Sequence, residues 1–581
     1  MHKYYFSNLT FNPVLLAAYV VMFMAAEMVQ LNTLRWWDPV VSTAFNLVCY
    51  ASLAWIVCLV AALAGDRWGK AVHGVCHVLV ASYAVSTLFL AALFHRHWDA
   101  YTLTFVVETN GREASEFLST YLTSWQTWAI TVLTVVFFAL EWWAARLVGR
   151  VRMMPQRRLW RVALVAVLAL TMGNAVFFTT DADRNYDLVA RMHSPVKRNA
   201  LWTLWQSVVQ YADSRTEFER CAAVQRAYRE RVVADEAEAD LVVIVGESFS
   251  RHMSNLYDGK YDTNPLLRRR LLSGHGRLVL FDNVIASDNG TTQNFKYFMS
   301  TASVADSGVA WCDRPLFPAV VCRSGYNVTF YSNQFVANDN LGQWDASMGF
   351  FNHPGIEPYL FDHRNSTKYP YDMELVADFA ARRQMLMRPH RNLCIFHLYG
   401  QHVNFSERYP SAFARFSAAD VSPRYSMCPS HGNLDDKQRA DIATYLNATA
   451  YNDMVVDSIM GMFDSRDAIV VYFSDHGEEV HNFRRQYGRT DLAADTEQAL
   501  HCQLDVPFMI YMTPRYVTLH PELARSIAAA AHRPFMTDDL PHVLFNLLGI
   551  HTRLYRPERS VINARYRQPA RRRLQNGRWY E

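Results

Sequence analysis

Two short runs place carboxylates and an imidazole where they could share a cation. Glu247 follows the apolar run 241–245 and a glycine, and Asp475-His476 follows Ile469-Val470-Val471-Tyr472-Phe473. An acid at a strand end is either a cap for the next helix or a metal ligand, whereas adjacent carboxylate and imidazole make a compact pair suited to Zn2+. A hydroxyl loop with Thr291 and Thr292 would complete three oxygens and one nitrogen around one ion. The chemistry such a set serves is nucleophile activation. A threonine hydroxyl barely ionises at neutral pH; coordination to a divalent metal stabilises its alkoxide and polarises an attacked phosphoryl or sulfuryl oxygen.

These residues meet only if the strands before them lie side by side. Short β-branched runs at 241–245, 278–285, 327–331, 392–397, 468–473 and 507–511 alternate with helical lengths, which predicts a doubly wound, mostly parallel α/β sheet. In such sheets ligands gather beyond the carboxyl ends of the strands. Those ends carry Gly246-Glu247-Ser248, the loop 287–292, Ser332-Asn333-Gln334, Gly400-Gln401-His402 and Ser474-Asp475-His476-Gly477-Glu478. Nearly every strand ends in a candidate ligand or nucleophile.

The whole chain of 581 residues is 51% hydrophobic and only 19% charged, an average of two unlike parts. Residues 1–180 carry 12 Lys and Arg and 8 Asp and Glu, against 45 and 46 in the rest. Five apolar spans are expected at 12–32, 40–64, 71–94, 124–145 and 159–179, each long enough to cross about 30 Å of hydrocarbon. Lys3, Arg67, Lys70 and the arginines from Arg146 to Arg161 assign three connections to the cytoplasm, so an odd number of spans exports the remainder. Glu27, His73, His77 and Glu141, in or near spans, read either as a proton path or as groups facing other helices. The expected layout is a membrane domain at 1–180, a connecting arm at 181–238 and an exported α/β domain at 239–581. A net charge of +3, with no basic helix or zinc-finger spacing, excludes nucleic-acid binding. Six cysteines fall in the exported part, and Cys312 with Cys322 is the expected local disulfide.

Taken in order, the motifs resemble the membrane-bound phosphoethanolamine transferases of Gram-negative bacteria, within the alkaline phosphatase and sulfatase-like superfamily. The resemblance rests on Val245-Gly246-Glu247-Ser248, Leu256-Tyr257 with Thr263-Asn264-Pro265, Tyr331-Ser332-Asn333-Gln334, Gly400-Gln401-His402 with Arg408-Tyr409-Pro410, and Ser474-Asp475-His476-Gly477-Glu478. It implies an alkaline phosphatase-like sheet in a periplasmic domain, held to the inner membrane by several spans. It also implies Zn2+ on Glu247, Thr291, Asp475 and His476, with Thr291 as the nucleophile that becomes a phosphothreonine; Thr292 is the alternative. His402 and His501 would contact the transferred group, with His481 the alternative to His501, and Asn333 would lie with the substrate. In the second exported loop, Asn110 and Glu113 are similar to a family segment placed to hold the ethanolamine headgroup or acceptor. The implied donor is phosphatidylethanolamine. The implied acceptor is lipopolysaccharide, core or lipid A: residues 474–480 resemble the core-modifying subgroup, and the cysteines that bracket the threonine loop in the lipid A subgroup are absent. The alternatives are a phosphoglycerol transferase on the same fold and a non-catalytic envelope-assembly protein, which would be expected to lose the ligands. A sulfatase would need a Cys or Ser in a Cys/Ser-x-Pro-x-Arg motif, which the Thr291 loop lacks.

Overall fold

The computed structural model describes residues 9–28, 38–94, 98, 103, 106, 124–152, parts of 161–173, 200–235, 239–337 except 275 and 307, 351–425, 432–483, 488–489, 492 and 496–580. It forms two compact units, Met1–Asp213 and Ser214–Glu581.

In the first unit α1 (Pro13–Met28), α2 (Asp38–Leu63), α3 (Gly65–Phe94) and α4 (Trp125–Leu147) are apolar helices. Among the described residues three stretches, Asn46–Leu63, Arg67–Leu93 and Trp125–Leu147, are long and apolar enough to cross a membrane. The helix in the first expected span is shorter, and the fifth expected span lies partly outside the described residues. Tyr19, Phe23, Tyr50 and Tyr83 pack at the centre of this unit. None of α4 is buried, and Trp128, Val132, Leu133 and Leu140 stand exposed on it, a surface suited to hydrocarbon rather than water. The ionisable side chains face other helices: Tyr50 Oη donates to Glu27 at 2.5 Å, and His77 Nε2 lies 2.9 Å from Glu141.

The second unit takes in residues 214–227 of α5 (Ala200–Ala227) and then alternates strand and helix. In chain order come β1 (Asp240–Gly246), α6 (Pro265–Ser273), β2 (Arg277–Phe281), α7 (Thr291–Met299), β3 (Asn327–Ser332), β4 (His363–Arg364), α8 (Asp372–Leu386), β5 (Asn392–His397), α9 (Asp436–Phe463), β6 (Ala468–Ser474), α10 (Glu497–Leu504), β7 (Phe508–Met512) and α11 (Leu540–Leu547). The seven-stranded sheet runs β2-β7-β6-β1-β5-β3-β4. β6, β1, β5, β3 and β4 are mutually parallel, while β7 is antiparallel to both β6 and β2. β1 and β6 are buried throughout, as expected of central strands covered on both faces. Val242, Ile244, Val470 and Tyr472 belong to one core with Phe379 of α8 and Tyr445, Val455 and Ile459 of α9. On the opposite face Phe473 meets Phe298 of α7 with ring centroids 5.1 Å apart. The register that matters pairs Gly246 with Ser474. The residues that follow, Glu247 and Asp475, therefore leave the sheet side by side.

Three expectations change. The run 278–285 is not one strand: Asp282 and Asn283 turn the chain out of the sheet, and Val284–Ile285 pairs instead with Phe535–Met536. The edge strand β4, only two residues long, carries no periodicity to read. Cys312 and Cys322 are both free thiols: Cys312 is buried in the turn Trp311–Asp313, and Cys322, within the helix Phe317–Arg323, donates to Leu360 O at 3.4 Å. Cys428 lies outside the described residues.

Candidate metal and nucleophile centre

Glu247 and Asp475 emerge from β1 and β6 fully buried, with His476 buried beside them. Their ligating atoms lie within 4.8 Å of one another. His476 Nε2 is 3.3 Å from Glu247 Oε1 and 3.4 Å from Asp475 Oδ2. Its Nδ1 faces the Gly477 carbonyl at 2.8 Å, which fixes the proton on Nδ1 and leaves the Nε2 lone pair aimed at the carboxylates. Asp475 Oδ1 accepts from the backbone N–H groups of Ser248 and His476, at 3.2 and 2.8 Å. Its Oδ2 is buried with no hydrogen-bond partner. Burial works against ionising either carboxylate, and the charge of Glu247 pushes Asp475 further above the usual range. Two carboxylates, one of them with an orphaned oxygen, and one imidazole nitrogen converging in a buried space fit a divalent cation.

Thr291 completes the set. It opens α7 immediately after the N-cap Gly290, where the unpaired N–H groups and the helix dipole favour negative charge. Its Oγ1 stands 3.3 Å from Glu247 Oε2 and 3.2 Å from His476 Nε2. The loop before it is pinned by Asn294, whose Oδ1 accepts from the backbone of Ser287 and Asp288 and whose Nδ2 donates to Gly290 O.

The neighbouring strand ends supply supports. Gln334 Nε2 donates to Glu247 Oε2 at 3.1 Å and to Leu398 O at 2.9 Å. Buried Asp372 accepts from the backbone of Tyr399 and Gly400, both at 2.9 Å, and so shapes the turn that carries His402. Gly400 has φ +48°, and a Cβ there would sit 2.9 Å from Glu247 N; only glycine fits. His402 stacks on Tyr399 with its Nδ1 2.6 Å from Val403 O, which leaves Nε2 as its free lone pair. Arg489 Nη1 donates to His476 Nε2 at 2.7 Å and to Asn289 O at 2.9 Å.

The remaining expected site residues lie elsewhere. The Asn333 amide is engaged within the fold, donating to Asp372 Oδ1 at 2.9 Å and accepting from Tyr369 N at 2.7 Å. His481 Nε2 pairs with Asp441 of α9 at 2.9 Å. His501 bonds to Asp505 and Tyr580, in a second cluster. Asn110 and Glu113 lie outside the described residues.

Residues 239–550, more than half the chain, match the sulfatase family. The chain belongs to that family. It is similar to phosphoethanolamine transferase EptC of Escherichia coli K12, 24% identical over 523 residues that cover 86% of this chain and 84% of that one. It is also similar to the Kdo(2)-lipid A phosphoethanolamine 7''-transferase of the same strain, 29% identical over 190 residues, 32% of this chain and 28% of that one. Among solved structures, the integral membrane lipooligosaccharide phosphoethanolamine transferase A of Neisseria meningitidis superposes with a TM-score of 0.61 at 17% identity, covering 96% of this chain and 98% of that one, which shows a shared fold. The resemblance read from the motifs is borne out, as is the expectation of an enzyme, by relatives that are named transferases.

The sequence marks Gln334 only as part of the strand end Ser332-Asn333-Gln334, in which Asn333 is the residue expected at the substrate; nothing in it marks Arg489.

Proposed function

We propose that this chain transfers phosphoethanolamine from phosphatidylethanolamine to lipopolysaccharide, at the core or lipid A, by way of a phosphothreonine at Thr291. The observation that carries this reading is the Thr291 hydroxyl, 3.2 to 3.4 Å from His476 and Glu247 at a helix N-terminus. Glu247, Thr291, Asp475 and His476 would hold Zn2+, which when bound supplies Lewis-acid polarisation and lowers the cost of ionising a hydroxyl.

Thr291 Oγ1 attacks the phosphorus, the bond to the diacylglycerol oxygen breaks, and diacylglycerol leaves. Glu247 Oε2, 3.3 Å away, lies where the hydroxyl proton departs. The N-terminus of α7 faces the charge that gathers on the phosphoryl oxygens. In the second half an acceptor oxygen attacks the same phosphorus and the Thr291 oxygen leaves. His402, its Nε2 not engaged by the fold, is the group that, entering as the imidazolium, protonates the departing diacylglycerol oxygen and, left neutral, takes the acceptor's proton, while Glu247 returns its proton to the Thr291 oxygen. Gln334 keeps Glu247 in place while the charge at the site changes.

The proposed setting is the inner membrane, multi-pass, with domains at 1–180, 181–238 and 239–581 and the last in the periplasm. The apolar helices would keep the chain in the membrane that contains the donor. The relatives' names support the transferred group and the acceptor class.

The test is intact-mass analysis of the detergent-solubilised full chain after incubation with a short-chain phosphatidylethanolamine. A phosphoethanolamine adduct on the peptide bearing Thr291, absent in Thr291→Ala, is the expected result. A glycerophosphate adduct from phosphatidylglycerol would assign the phosphoglycerol reading instead, and an adduct that persists in Thr291→Ala would move the nucleophile to Thr292.

A further inference from the structure

A second cluster of ligand-type side chains lies in the same unit. His252 follows β1 in the short helical turn Arg251–Met253, His501 sits on α10, and Asp505 follows α10 directly. Their ligand atoms lie within 4.8 Å of one another. His252 Nε2 is 2.9 Å and His501 Nδ1 3.2 Å from the same oxygen, Asp505 Oδ2. Those separations are hydrogen-bond distances, a few tenths of an ångström short of the edge of about 3.3–3.6 Å that a tetrahedron around a metal bonded at about 2.0–2.2 Å requires, so the three side chains need to open only slightly to hold an ion.

Two further observations point the same way. His252 Nδ1 lies 2.6 Å from Asp258 Oδ2, the outer carboxylate that commonly orients a ligating imidazole. Tyr580, near the end of the described chain, brings its hydroxyl to 2.6 Å from His501 Nδ1 and also donates to Asp505 Oδ1, so an oxygen stands at the cluster as a fourth candidate ligand atom. Asp505 is buried while the His501 side chain is one-third exposed, which leaves a way in for an ion.

Charge decides which ion. Arg251 donates to Asp505 Oδ2 at 3.1 Å, and the Arg572 guanidinium lies 4.9 Å from the Tyr580 ring centroid. These two cations offset Asp258 and Asp505, so a hard ion held by charge alone, such as Ca2+ or Mg2+, gains little there. A borderline ion that bonds to imidazole gains two nitrogens. We infer that His252, His501 and Asp505 form a second Zn2+ site, separate from the Glu247, Asp475 and His476 centre. Its consequence is mechanical. α10 also carries Gln503, which accepts from Asn289 Nδ2 at 2.8 Å and from Gly477 N at 2.8 Å, so an ion on its last turn stiffens the helix that braces both catalytic loops.

The experiment strips the detergent-solubilised full chain with chelator, reloads it with Zn2+ alone, and counts metal per chain by mass spectrometry. About two ions per chain are expected in the wild type, about one in His252→Ala and about one in Asp475→Asn. Asp258→Asn, which keeps the ligands and loses the orienting carboxylate, should retain both ions at stoichiometric zinc but lose the second about 10–100-fold more readily to a competing chelator. In Co2+-loaded protein, His252→Ala should remove one part of the tetrahedral visible absorption and Asp475→Asn the other. A zinc count that His252→Ala leaves unchanged overturns the site, whatever Asp475→Asn does. A count that Asp475→Asn leaves unchanged, while His252→Ala lowers it by one, would count against the catalytic reading and leave this one standing.

Discussion

At the scale of single residues, the reactive groups announce themselves and their supports do not. Glu247, Asp475 and His476 stand directly after β-branched runs, where side-chain type and position coincide. Thr291 was one of two adjacent hydroxyls, and the structure puts its Oγ1 beside Glu247 and His476. Arg489 reaches His476 from a segment with no strand pattern near it, so its proximity depends on loop closure that no local signal encodes. Gln334 is the more instructive case because its role is to orient rather than react. Its amide ties Glu247 to the backbone of Leu398, and groups of this kind set a ligand's direction and basicity. Gln334→Ala should therefore weaken zinc retention at the Glu247 centre about 10–100-fold, measured by competition with a coloured chelator. Gln334→Glu would add a third carboxylate and is expected to fail by repulsion in the metal-free protein, so alanine is the cleaner probe.

Elements were legible where their pattern is local. The runs at 392–397 and 468–473 became β5 and β6 almost residue for residue, because central strands buried on both faces are continuously apolar. β7 could not be oriented from its sequence, since apolar content is the same in either direction. The cap of α6 was equally invisible. Pro265 has no N–H to give, Asn264 makes no side-chain cap, and the amides of Leu266 and Leu267 are taken by Asp453, far along the chain on α9. α11 offers a test of burial at this scale. His542 is buried within it and accepts from the backbone N–H of Arg556 at 3.4 Å. Burial first, then the charges of Arg559 and Arg556 against a smaller pull from Asp306, lower its pKa from 6.5 to about 3. The unfolded chain therefore binds the proton that the folded chain refuses between those values. Stability from this group is complete above pH 6.5 and is lost as pH falls toward 3. At pH 5 the deficit is on the order of 2 kcal/mol. His542→Leu should flatten the acid side of the stability curve by about that amount, read from urea unfolding at pH 5 and 7.5, whereas an unchanged slope would show that other groups set it.

At the scale of the molecule, the family match begins at residue 239, but the compact unit begins at 214. The difference includes the end of α5, whose contacts reach α7, the helix that Thr291 opens. Lys296, on α7 five residues after Thr291, is buried and pairs with Glu217 at 2.9 Å. Trp311 Nε1 donates to the same Glu217 oxygen, and the Lys296 ammonium lies 5.4 Å from the Trp311 ring centroid. Gln225 accepts from Leu316 N at 3.1 Å, and Phe218, Cys221 and Ala222 are buried. Nothing in the sequence of this stretch marks it as core, because its apolar residues are sparse and its partners lie some eighty residues on. The anchor should matter for two reasons. Removing Glu217, itself about one-third exposed, leaves the buried Lys296 ammonium without its carboxylate, a loss on the order of 1–3 kcal/mol. The strain then falls on α7, whose first residue must hold its hydroxyl within hydrogen-bonding reach of Glu247 and His476. A chain of residues 214–581 should unfold cooperatively and form the Thr291 adduct with a water-soluble donor analogue. A chain of residues 239–581 should unfold at lower urea and form the adduct more slowly. Within the full chain, Glu217→Ala should reproduce the slower adduct formation and Glu217→Ala with Lys296→Met should recover part of the stability, since the second change removes the stranded charge. Equal stability of the two shorter chains would reduce the arm to a tether.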